Sequence, residues 1–278
     1  MRIWHLQACG CGLIVTVLTM APVARAPSEA RLGSSQTETV LGNVVDITAG
    51  DFFFTAPESI PGGLTTFRLR QVGKVAHDMS IVQLTQNKTF EEFAALVKAR
   101  ELLTRGTWAK HLGGPGFIEV PRSTNATLVL EPGTYALACF MVFAGDPPEH
   151  QQMLKPLHVV PAPGAPSMEP PTDLVVKILD DGHEFSPSLS AGRHLLRVEN
   201  AASQSRLFRM ERLLPGRTIE EARKWGPRSG TERPTISKGR LASMEPGRHL
   251  IMAVDLDPGT YLVGSLPARA TGQEFVVR

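Results

Sequence analysis

The sequence predicts an all-β protein built as two β-sandwiches in tandem, each with one short inserted helix. Its 278 residues are too many for one small domain and suit two of ordinary size. Aromatic residues are few at 6%, while 25 Gly and 22 Pro together make 47 turn-forming residues. Many short strands joined by tight turns use residues in this way. The chain also repeats itself once, so one architecture must serve twice.

The repeat is read directly. Phe67-Arg-Leu-Arg-Gln71, Leu84, Thr89 and Glu91-Glu92 correspond at constant spacing to Leu196-Arg-Val-Glu-Asn200, Leu213, Thr218 and Glu220-Glu221. Further on, Leu130-Glu-Pro-Gly-Thr-Tyr135 matches Leu256-Asp-Pro-Gly-Thr-Tyr261, and the copies close on Leu157–Val160 and Glu274–Val277.

Taken in order, residues 1–26 read as a secretory signal peptide. Arg2 supplies the positive start, Gly12–Met20 the apolar stretch and Ala24-Arg25-Ala26 a small-x-small cleavage site. The apolar stretch is short for a membrane span, so no stable span is expected after cleavage, and the chain is expected in the periplasm or outside the cell. Residues 40–160 form the first expected domain, with strands at Phe67–Arg70, Met79–Leu84, Thr127–Leu130 and Tyr135–Val142. Thr89–Lys98 has helical spacing, with Thr89 as N-cap and Glu92 three residues on; Thr218–Trp225 is its shorter counterpart. Pro161–Pro171, rich in proline, reads as a stiff linker to the second domain at 172–278.

A net charge of +2 with no Lys/Arg-rich run argues against nucleic acid as a partner. Cleavage would remove Cys9 and Cys11 and leave Cys139 as the single thiol, which excludes an internal disulfide and leaves an inert core cysteine, a redox-sensitive thiol or a metal ligand. The two copies differ at this point. His77 falls opposite Arg206 and Cys139 opposite Ser265. The connection after Cys139 carries His150 and Met153, whereas the one after Ser265 is nine residues shorter and has neither. One thiolate, two imidazoles and one thioether, present together in one copy and absent together from the other, are the donor set of a mononuclear copper electron-transfer site.

With Gln71-Val-Gly-Lys-Val-Ala-His77, Leu130–Phe140, Gly145–His150 and Met153-Leu-Lys-Pro, the chain resembles a tandem cupredoxin of the plastocyanin/azurin-like blue copper superfamily. The resemblance covers most of residues 45–160 and, more faintly, 172–278. It implies Greek-key sandwiches and one copper ion in the first domain, with His77, Cys139, His150 and Met153 as ligands. The second domain carries no ligands. The chain departs from the family in having ten residues between Cys139 and His150.

Each residue also has a structural reading. Cys139 and Met153 suit a buried core, His77 a satisfied histidine opening a strand, and His150 an exposed loop. His111, beside Gly113-Gly114, is an alternative to His150. His158 alternates with apolar neighbours in the closing strand and is expected to face solvent or a hydrogen-bond partner, while His183, His194 and His249 have no companion cysteine. The function expected is an exported copper protein passing single electrons to a redox partner protein. The alternatives are a metal-free binding or structural module and a copper storage or delivery protein. No His-x-His pair, Gly-x-Ser-x-Gly elbow or His-Glu-x-x-His helix is present, and the expectation is a protein that is not an enzyme.

Overall fold

The computed structural model describes residues 42–101, 106–117, 119–141, 153–164, 168–185, 188–226, 230–266 and 272–278. These residues are all-β apart from two helices. In chain order the first half contains β1 (Asn43–Gly50), β2 (Phe53–Thr55), β3 (Ser59–Pro61), β4 (Gly63–Gln71), β5 (Ser80–Leu84), α1 (Phe90–Ala99), β6 (Ala109–Gly113), β7 (Ser123–Leu130), β8 (Gly133–Ala138) and β9 (Leu154–Val160). The second half contains β10 (Leu174–Ile178), β11 (His183–Glu184), β12 (Ser188–Leu189), β13 (Gly192–Asn200), β14 (Arg206–Leu213), α2 (Ile219–Lys224), β15 (Thr235–Met244), β16 (His249–Leu256), β17 (Gly259–Leu266) and β18 (Gln273–Val277).

Local chemistry explains the elements. In β4, Phe67, Leu69 and Gln71 are buried while Arg68 is half-buried and Arg70 exposed, the alternation of a strand with one face on a core. Thr89 caps α1 through a complete capping box with Glu92, and Thr218 caps α2 in the same way with Glu221. At the two Pro-Gly-Thr-Tyr turns, Tyr135 Oη donates to the Glu131 carbonyl at 2.7 Å and Tyr261 Oη to the Asp257 carbonyl at 2.9 Å. Each tyrosine ties the start of its strand to the end of the preceding one. The strand expected over Tyr135–Val142 ends at Ala138, but its pairing continues one step further, where Cys139 N–H donates to the Met153 carbonyl at 3.1 Å.

Two sheets face each other, and both run through the two halves. One has the order β11-β10-β13-β16-β7-β4-β1-β2, the other β12-β18-β17-β14-β15-β6-β5-β8-β9-β3. Read outward from the seam, β7-β4-β1-β2 matches β16-β13-β10-β11, and β6-β5-β8-β9-β3 matches β15-β14-β17-β18-β12. The seam pairs equivalent strands antiparallel, Ile251 with Thr127 and Met244 with Leu112, as an internal two-fold arrangement requires. Asn125 is bound both ways to Ala253 at 2.8 Å, and Gly116 N–H donates to the Arg240 carbonyl at 2.9 Å. A Cβ on Gly116 would lie 2.7 Å from the Arg240 backbone, so only glycine permits this approach. One buried cluster fills the space between the sheets, with Phe67, Ile81 and Leu137 from the first half and Phe208, Met244 and Leu250 from the second.

On the outer face the halves differ. Under α1, Phe93, Trp108, Val82 and Ala136 form an apolar cluster. At the position matching Val82 the second half has Glu211, buried, which accepts from Arg233 Nη2 at 2.8 Å and Thr235 Oγ1 at 2.9 Å and also pairs with Arg240. Burial alone would raise this carboxyl, but Arg240, Arg233 and Arg209 outweigh it and hold it below the ordinary range. Arg233 also pairs with Glu119 of the first half, so the ionic cluster bridges the seam.

Candidate metal centre

His77 is placed by the segment that follows β4. Val72 N–H donates to the Ala49 carbonyl at 2.9 Å, and Asp51 Oδ1 accepts from Lys74 and Val75 N–H at 2.7 and 3.1 Å, bending the chain back over the end of the sandwich. Gln71, fully buried, then holds the histidine backbone from both sides. Its Nε2 donates to the His77 carbonyl at 2.5 Å and its Oε1 accepts His77 N–H at 3.1 Å. Phe52, at the left-handed φ of 69°, sets its ring edge-on to the imidazole, with centroids 6.1 Å apart. A bulky residue there is strained.

Cys139 follows β8 and is buried on the inner face with Leu137 and Ile81. Its Sγ lies 3.8 Å from His77 Nδ1, across 62 residues of sequence. Bonds of about 2.0–2.3 Å from an ion to nitrogen and sulphur would span that separation, so one ion could be held by both atoms. The donor types and their spacing therefore fit a copper ion. Burial and the neighbouring Asp78 carboxylate push the thiol well above its ordinary range, while hydrogen bonding from the backbone at Met141 and Asp78 pulls the other way. Cys139 Sγ faces the Met141 carbonyl at 4.0 Å, and the dry surroundings favour the protonated thiol over a free thiolate.

Of the sequence-predicted ligands, the side chains of His77 and Cys139 come together, and Met153 is joined to Cys139 through its backbone. Met153 is fully buried in the same cluster as Cys139 and supplies the carbonyl that Cys139 N–H reaches. His150 lies outside the described residues. Among the described residues no group of three or more His, Cys, Asp and Glu is gathered as a metal cluster. His111 does not substitute. The β5–β6 register pairs it with Val82, whose side chain is in the outer cluster, and its ring lies 5.1 Å from that of Phe140 on the same outer side. Burial lowers its pKa against the opposing pull of Glu245.

Three of the other histidines have settings of their own, and His183 is buried in the second half. His158 is exposed, His194 contacts the Ser190 carbonyl at 2.9 Å and His249 contacts Glu169 at 2.6 Å. In the second half the matching positions hold Arg206, which reaches Asp180 at 3.4 Å, and the buried Ser265. The sequence reading missed Gln71, Phe52 and Asp78. The repeat offered a signal for the first, because Asn200 occupies the matching position and also anchors the following turn, accepting Ala202 N–H at 3.1 Å.

No family model and no curated protein matches the chain. Similar solved structures exist at low identity. A reduced auracyanin from the photosynthetic bacterium Roseiflexus castenholzii is 17% identical, covering 43% of this chain and 98% of its own, with a TM-score of 0.31. The blue copper oxidase from Nitrosomonas europaea is 14% identical and covers 85% of each chain, with a TM-score of 0.26. A copper-containing nitrite reductase from Thermus scotoductus is 11% identical, covering 84% of this chain and 61% of its own, with a TM-score of 0.23. The structural neighbours are cupredoxin-like.

One expectation is corrected by these cupredoxin-like neighbours. The sequence predicts a protein that is not an enzyme, on the ground that no catalytic motif is present. Structures similar over 84–85% of it are nevertheless a blue copper oxidase, a multicopper oxidase and a nitrite reductase, all enzymes. The non-enzyme reading is withdrawn. Missing short motifs were weak grounds for it, because side chains from positions far apart in the chain meet in this fold, as His77 and Cys139 do. Among the described residues no helix is long and apolar enough to cross a membrane.

Proposed function

We propose that the first half, residues 40–160, is a Greek-key cupredoxin domain of an exported protein. It holds one copper ion through His77, Cys139, His150 and Met153 and passes single electrons to and from a redox partner protein. The second half, residues 172–278, is a domain of the same kind without ligands. The observation that carries the reading is the 3.8 Å approach of His77 Nδ1 to Cys139 Sγ inside a buried, backbone-anchored setting. A bound copper ion would supply a one-electron couple. The chain's own part is to present a thiolate and an imidazole within reach of one ion, exclude water and hold His77 rigid through Gln71. Rigid ligands keep reorganisation small when the electron moves.

The test is a copper titration of the chain from Pro27 onward, read by visible absorption and electron paramagnetic resonance. An intense thiolate-to-copper band at one equivalent, absent from Cys139→Ser, is the expected result. Weak binding without the band, unchanged by the substitution, refutes the site.

A further inference from the structure

Asp78 stands next to His77 and is buried, at 8% exposure. Its Oδ1 accepts the N–H of Phe140, the residue after Cys139, at 3.2 Å. The carboxylate is thus tied to both segments that bring the imidazole and the thiol to 3.8 Å from each other. After burial, its charge is the next influence holding the proton on the Cys139 thiol. Nothing in the fold of the sandwich requires an acid there, since Leu207 holds the matching position in the second half. A buried carboxylate beside a thiolate adds a second negative charge to a water-poor site, where charges act over short distances with little screening. Such a pair attracts a doubly charged ion more than a singly charged one.

We propose that Asp78 is a fixed negative charge of the metal centre that biases it towards the divalent state, favouring Cu(II) over Cu(I) and lowering the potential of the couple. The inference rests on the copper reading above. In the redox step Cu(II) takes one electron to become Cu(I), and in voltammetry the electrode supplies and removes that electron. Asp78 is a positioning and tuning residue, not a ligand.

The experiment compares the wild-type chain with Asp78→Asn, which keeps an oxygen for Phe140 N–H, and with Asp78→Ser, which introduces no amide donor beside the sulphur. Asp78→Glu keeps the charge. Circular dichroism establishes that each variant is folded. Two measurements follow at pH 7: the midpoint potential of the copper form, and the affinities of Ag(I) and Co(II) as redox-inert monovalent and divalent probes. The neutral variants are expected to raise the ratio of monovalent to divalent affinity at least tenfold. For copper this is a rise of 59 mV in a one-electron potential. The glutamate variant is expected to stay near the wild type. A merely structural role would weaken both ions alike and leave the ratio unchanged. A thiolate-to-copper band whose potential and affinity ratio do not move, or fall, in both neutral variants overturns this inference alone. No such band in the wild-type chain overturns the copper reading and this inference with it.

Discussion

Replacing Gln71 with methionine tests whether the site is held by its backbone. Methionine has similar length and volume, so the core stays filled, but both hydrogen bonds to His77 are lost. The His77 carbonyl and N–H would then be left inside the protein without the amide. Each such buried group costs about 1–3 kcal/mol, and removing the buried amide itself returns about 1 kcal/mol. The net destabilisation is about 3 kcal/mol. For a unit of this size 1 kcal/mol corresponds to about 2–4 °C, so the melting temperature falls by about 6–12 °C. Calorimetry of the metal-free chain measures this. In the copper-loaded chain the loosened histidine lowers metal affinity by about 10–100-fold, the usual effect of removing an outer partner. A melting temperature within about 2 °C of the wild type, with unchanged affinity, would show that Gln71 does not hold the site.

Two further perturbations follow from the second half. Burial first, and Arg209 second, lower His183 to about 4. Its folded pKa lies below the unfolded value of about 6.5, so the unfolded chain binds the proton more readily between those values. Stability is fully present above about pH 6.5 and is lost as pH falls towards 4; His183→Phe, which copies Phe54 of the first half, should flatten that slope in urea titrations, and an unaltered slope would show that another group is responsible. Glu211→Leu leaves Arg233 and Arg240 without their shared buried acceptor, and a loss of about 3–5 kcal/mol is expected from chemical denaturation. A loss below about 1 kcal/mol would mean that the arginines find other partners.

Much of the fold was legible because its causes are local. The capping boxes at Thr89 and Thr218 close within three residues. The alternation along β4 needs only the period of a strand, and the two tyrosines bond to carbonyls four residues away. Comparing the two copies also singled out His77 and Cys139, because a joint change of donor type leaves a mark in the sequence itself. The sequence alone therefore determined the all-β class, the internal repetition, both helix starts and the half of the chain in which the soft donors gather.

Only the tertiary structure decided how the halves meet and which side of a sheet each candidate occupies. The seam is made of backbone pairings between β7 and β16 and between β6 and β15, and backbone donors and acceptors are the same for every residue type. His111 lies one strand from the centre yet on the opposite face, a distinction set by register, and a one-residue slip would reverse it. Asp78 was invisible for a related reason, and Gln71 was marked only by its counterpart Asn200: an acid and an amide acquire their roles from burial beside a thiol and a turn. Burial is a property of the packed molecule, because it depends on contacts between segments that the order of residues does not specify.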